Sequence, residues 1–143
     1  MAGEKFVRLE ILNGKELADK FRKSGNEIQD KIDKALLKAG HLVEADVKKS
    51  FGTSPSPPGG PPGVLTGTLR RSIATRLIPG NAQVGTNVVY ARALEFGYAP
   101  RNLEARPYLY PALKRNKAEI LKILRKGLGD ELASVFKGFT KIL

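Results

Sequence analysis

One long amphipathic stretch, cut off by a glycine–proline run, constrains this chain most. Across residues 27–51, Ile28, Ile32, Ala35, Leu36, Ala39, Leu42, Val43 and Val47 fall on one stripe at about 100° per residue. That spacing predicts a helix with one face committed to a core. Residues 52–63 follow, and five of the nine prolines lie in those twelve positions. No regular element survives that composition. The run is too short to separate two domains, so we expect an exposed, mobile loop that projects from one domain, either as a passive linker or as a segment that orders against a partner.

Two residues break the helical stripe. Leu37 projects from the opposite, polar face, which makes it a candidate interface residue. Asp46 falls inside the apolar stripe, in line with Ile28. An unpaired carboxylate there is costly, so it should meet a cation or a cap. Arg70 or Arg71 is the expected partner, with the other arginine facing outward.

The remaining pattern is mixed. Residues 5–12 alternate as a strand with one buried face. Residues 15–23 read as a short helix, and Asn26 as the cap of the long one. Residues 72–78 and 82–89 flank Pro79, Gly80 and Asn81 as a β-hairpin. Residues 90–96 resemble a helical turn closed by Gly97. A second long helix is expected from Pro111 to about Leu128, with Leu113, Ile120, Leu121, Leu124 and Leu128 on its apolar side. Lys117 also falls on that side and would have to reach out to solvent. Asp130 would cap a final amphipathic stretch containing Leu132, Val135, Phe136, Phe139 and Leu143. The expected fold is α+β: a small antiparallel sheet packed against two long helices, with an extended Gly/Pro-rich loop. It is expected as a single domain over residues 1–143, with the exposed loop at 52–63 and a C-terminal helical extension at 129–143.

Composition narrows the chemistry. The chain has no cysteine and one histidine, His41, on the polar face of the first helix. Disulfides and thiolate metal sites are excluded, and histidine-based catalysis has almost no material. No apolar run reaches the roughly 18–20 residues a membrane span needs, and the first residues lack the apolar centre of a secretory signal. The net charge of +11 is uneven. Residues 1–63 carry 11 basic and 9 acidic groups, whereas residues 64–126 carry 12 and 3. A basic half of this kind favours polyanions or acidic protein faces.

Three motifs lie in or at the edge of that basic half: GVLTGTLRRSI at 63–73, YARALEFG at 90–97 and ARPYLYPAL at 105–113. Thr66, Thr68 and Ser72 read as turn and cap groups, with Thr68 placed to cap the next amides. Glu95 is the only carboxylate inside a motif, and it lacks a partner acid or nucleophile. A salt bridge to a nearby arginine is its expected role. The glycines at 59, 60 and 63 cannot form a phosphate loop, because prolines remove the donors and no Gly-Lys-Ser/Thr follows. No cofactor, metal or catalytic residue is therefore assigned. The candidate interface set is Leu37, Arg70, Arg71, Arg92, Arg106, Tyr108 and Tyr110.

Taken in order, the motifs resemble the tail-component, or neck, proteins of long-tailed bacteriophages. Members carry an alanine-rich amphipathic helix and a Thr-Gly-x-Leu-Arg-x-Ser-Ile-like element, which is Thr66 to Ile73 here. A hairpin follows, then a Tyr-Ala-x-x-x-Glu-Phe-Gly-like element, which is Tyr90 to Gly97. An Ala-Arg-Pro-Phe/Tyr-Leu-x-Pro-Ala start to a long basic helix completes the set at Ala105 to Leu113. The glycine–proline loop is longer than the usual connection. The resemblance implies a non-enzymatic virion subunit that forms a ring at the head–tail junction, hexameric by preference and twelvefold as the other option. It would join the portal-side connector or stopper to tail-tube or terminator proteins, and would lie in the host cytoplasm before assembly. A basic DNA-binding module of the same shape is the alternative. Non-specific contact with DNA in the channel stays open, and no membrane partner is expected.

Overall fold

A computed structural model describes residues 7–10, 26–52, 56–78, 80–129 and 141–142. The chain runs β1 (Val7–Glu10), α1 (Asn26–Ser50), α2 (Thr68–Ser72), β2 (Ala74–Ile78), β3 (Asn81–Thr86), α3 (Ala91–Phe96), α4 (Leu109–Leu128) and β4 (Lys141–Ile142). The fold is α+β, as the periodicity predicts. The expected helix at 15–23 lies outside the described residues, as do positions 130–140.

The strands form one antiparallel sheet in the order β2-β3-β1-β4. Its hairpin closes where Ile78 pairs with Asn81. Gly80 supplies the positive φ of that turn at 73°. β3 stops at Thr86 rather than running on to Val89, because the Thr86 hydroxyl accepts the Val88 N–H at 3.1 Å and turns the chain away. The expected helical extension at 129–143 is corrected at its end: Lys141 and Ile142 pair as a strand with Glu10 and Leu9.

The core has three layers. α1 packs on the β2–β3 hairpin with one flank and on α4 with the other. Leu36, Ala39, Val43 and Val47 of α1, Ile73 just before β2, Val84 of β3, and Leu109, Ala112 and Leu124 of α4 are buried in one cluster. Gly40 makes the close approach of α1 to the sheet possible: a Cβ there would collide with the Thr75 side chain. Its place in mid-helix costs about 1 kcal/mol against alanine, a cost offset by contact on the sheet side.

Two pairings across α1 were not foreseen. Glu44 reaches over the edge of β2, where its Oε2 accepts the Thr75 N–H at 2.8 Å and the Thr75 hydroxyl at 2.7 Å. Lys48 donates to its other oxygen at 2.6 Å. Burial alone would raise the Glu44 pKa. The Lys48 and Thr75 hydrogen bonds, with the lysine charge, outweigh it and hold the carboxyl below its ordinary value. Asp46 does not pair with Arg70 or Arg71. Its Oδ2 accepts Nε and Nη2 of Arg115 at 3.1 and 2.9 Å and Nδ2 of Asn116 at 2.8 Å. The correction has a geometric cause: Asp46 sits on the flank of α1 that faces α4, and Arg115 and Asn116 stand on the facing helix.

Candidate functional site

The second and third motifs lock together through Glu95, which is only 4% exposed. Its Oε2 accepts the N–H groups of Tyr108 and Leu109 at 2.8 and 3.0 Å, and Oε1 accepts that of Tyr110 at 3.0 Å. A helix leaves its first N–H groups unpaired. Here a carboxylate from another helix takes them, and the following residue, Pro111, has no N–H to satisfy. This explains why α4 starts at Leu109, two residues before the expected Pro111. It also corrects the expected arginine partner of Glu95: the carboxylate caps a helix, favoured further by the positive end of the helix dipole.

The neighbouring backbone tightens the lock. The Arg106 N–H donates to the Leu94 carbonyl at 2.6 Å, and Tyr98 and Leu103 exchange hydrogen bonds at 2.8 and 3.1 Å. Gly97 lies between them at φ 79°, where a Cβ would meet the Leu103 carbonyl at 3.0 Å and the Ala105 nitrogen at 3.1 Å. Only glycine fits without strain. Tyr108, expected at an interface, is 1% exposed and belongs to the core instead. Its ring tilts against Phe51 at 5.5 Å, and its hydroxyl donates to the Ala91 carbonyl at 3.3 Å. Burial first, then the Glu95 charge and Tyr90, push its phenol well above the tyrosine range.

The first motif is held by small hydroxyls. Thr66 Oγ1 accepts the Thr68 N–H at 3.3 Å, so Thr66 rather than Thr68 serves the turn; Gly67, at φ 74°, precedes α2. Ser72 donates to the Leu69 carbonyl at 2.7 Å and meets the Thr86 hydroxyl.

The glycine–proline loop is exposed along much of its length but does not stand free. Gly52 donates to the Pro62 carbonyl at 3.1 Å and Val64 to the Gly52 carbonyl at 2.9 Å, closing its base. Gly59 donates to the Ala105 carbonyl at 3.1 Å, and Arg106 reaches the Ser56 carbonyl at 3.4 Å. The expected projecting arm is folded back onto the third motif, and Arg106 is one of the groups that hold it there.

One outward feature is a corner between the first two motifs; Phe96, Tyr98 and Tyr110 are exposed as well. Leu65 is 86% exposed, Val89 81% and Tyr90 48%. Leu65, Arg70, Tyr90 and Leu94 line one cleft of about 530 Å³, with Phe51 and Leu69 in its wall. A second cleft continues from Leu65 past Arg70 and Arg71 to Lys48. Arg70 and Arg71 are both exposed. Of the expected interface residues, these two are brought together. Arg92 stands over the Phe96 ring at 5.7 Å, outside both clefts. Tyr110 is exposed on the first turn of α4, and Leu37 lies half-buried on α1, away from the corner. Sequence reasoning did not single out Leu65, Val89 and Tyr90 as exposed apolar residues; their place in or beside the motifs was the available signal. His41 is exposed and sits 3.4 Å from Glu44. No cluster of three or more metal-ligating side chains occurs among the described residues, and no described helix is long and apolar enough to cross a membrane.

The small α+β frame spends Glu95, Gly97 and Tyr108 on internal locks and leaves an apolar, arginine-flanked corner exposed. The family described as "Bacteriophage HK97-gp10, putative tail-component" matches residues 15–97. The chain belongs to this bacteriophage tail-component family, which makes it a virion component. The matched span contains the first two motifs and the loop; the third motif follows it. An uncharacterized protein of Methanocaldococcus jannaschii, MJ0331, is 43% identical over 44 residues, which is 31% of this chain and 33% of that protein. The match thus spans about a third of that relative's length. No solved structure matches the chain.

Proposed function

We propose that this chain is a structural subunit of the phage neck: a ring-forming head–tail joining or tail-completion protein that links the portal-side connector to the tail tube. Its partners are further copies of itself, hexameric by preference, and the connector, stopper, tail-tube or terminator rings above and below. Membership of the tail-component family supports the class. The observation that carries the neck reading is the division of labour within the motifs. Glu95, Gly97 and Tyr108 are consumed by the frame, while Leu65, Arg70, Arg71 and Tyr90 are left exposed at one corner. Exposed aromatic, leucine and arginine groups around a cleft are suited to a partner surface.

Particles made without this chain test the reading. Filled heads separate from finished tails are expected for a joining or completion role. Overlong tails would move the chain to tail termination, and normal particles would remove it from the neck. The basic DNA-binding alternative rests on the +11 charge. It demands duplex binding by the isolated chain with a steep salt slope; retention of duplex unchanged by salt, or none at all, rejects it.

A further inference from the structure

A second surface lies far from the motif corner. α1 and α4, in close contact at Ala35 and Gly127, line a groove of about 770 Å³ whose floor also includes Leu42 and Ile123. Lys31, Lys34, Lys38, Lys122 and Lys126 rim it. The single carboxylate there, Glu119, is already 3.5 Å from Lys122. No described residue forms an ion pair with the other four lysines. Like charges gathered round an apolar floor repel one another until an acidic surface covers them.

The occupant must offer two things at once: carboxylates for the rim and an apolar side chain for the floor. Duplex DNA offers phosphate and no apolar knob. This chain carries the complementary element on the same helix. Asp30, Asp33 and Leu37 follow one another at helical spacing on a single stripe of α1. Leu37 is half-buried, and Asp30 is exposed. Among the described residues, Asp33 accepts a neutral hydrogen bond, from Gln29 at 2.9 Å, and forms no ion pair.

We propose that one copy seats its Leu37 stripe in the lysine-rimmed groove of the next copy, and that this is the repeating contact of the ring. The inference rests on the ring reading above and names the two faces. Both faces lie on α1, so a copy cannot fill its own groove. The contact is therefore heterologous, the type that generates rings or filaments. At 100° per residue Leu37 lies about 140–160° around α1 from the floor residues Leu42 and Ala35, so the two faces point to different neighbours.

The absence of cysteine makes a clean test available. Leu37→Cys and Ile123→Cys are combined in one chain, and assembled particles are oxidised and run on a non-reducing gel. A ladder rising to the ring number is expected, with each single variant lacking it. An amine-reactive cross-linker on the unaltered chain is run beside it. A ladder from that reagent without the disulfide ladder keeps the ring and overturns these faces. No ladder from either overturns the ring reading itself. Charge exchange gives a second readout: Asp33→Lys should lower ring formation at least about tenfold, and adding Lys38→Asp should restore it. If Lys34→Glu with Lys38→Glu leaves the ring intact but abolishes duplex retention, the groove belongs to DNA and the proposal falls.

Discussion

The Glu95 lock and the Leu65 corner share the second motif, yet they are opposites. In the lock, a buried carboxylate accepts three amides, a tyrosine hydroxyl donates to the Ala91 carbonyl, and a glycine supplies the positive φ between the two elements. At the corner, large apolar groups stand in water beside Arg70 and Arg71. The comparison teaches that a conspicuous residue type is a poor guide to outward function. Glu95 and Tyr108 look chemically available in the sequence, and the frame uses both. Leu65 looks like core and faces solvent.

If that division is right, substitutions in the lock should damage stability and those at the corner should damage assembly alone. The largest effect is expected for Glu95→Ala, which leaves three amides without an acceptor. It should lose roughly 3 kcal/mol in urea unfolding; a loss under about 1 kcal/mol would break the comparison. Gly97→Ala should follow at about 1–3 kcal/mol, from the positive φ and the approach of the Leu103 carbonyl.

The pH response should be smaller and have a fixed sign. The Glu44 carboxyl is held below its ordinary 4.5, so the stability it contributes is present above that pH and is lost as pH falls through the lower folded value. Unfolding followed downward from about pH 5 should show the unaltered chain losing more stability than Glu44→Gln; parallel losses would remove Glu44 from the account. For Asp46 and Arg115, a double-mutant cycle should give a coupling of about 0.5–1 kcal/mol, modest because the arginine is half exposed. The same cycle with Arg70 or Arg71 should be additive. Last, Leu65→Ser with Tyr90→Ala should change stability by no more than about 0.5 kcal/mol, while the yield of joined particles falls. Normal particle yield would take the corner out of the docking surface.

Much of the fold was legible before any coordinates. The α1 stripe, the hairpin around Gly80, the helical turn closed by Gly97 and the apolar side of α4 all follow from local periodicity and turn chemistry. The start of α4 was not, because Glu95 sets it from 14 residues away in the chain. The site was less legible than the fold. The sequence turns one of Arg70 and Arg71 inward onto Asp46, yet both are exposed; it places Tyr108 at the surface, where the core takes it, and gives no sign that Leu65 is exposed. Periodicity assigns a face only within a regular element, and Tyr108 and Leu65 lie outside one in the described structure.

By itself, then, the sequence determined the elements, their apolar faces and the excess of positive charge, since these depend on side chains a few positions apart. Tertiary structure decided who pairs with whom. Asp46 met Arg115 across 69 residues rather than the nearer arginines, and the proline loop folded back onto Ala105. Hydrogen bonds and ion pairs act over a few ångströms and in fixed directions. Their partners exist only once packing has brought two element ends together.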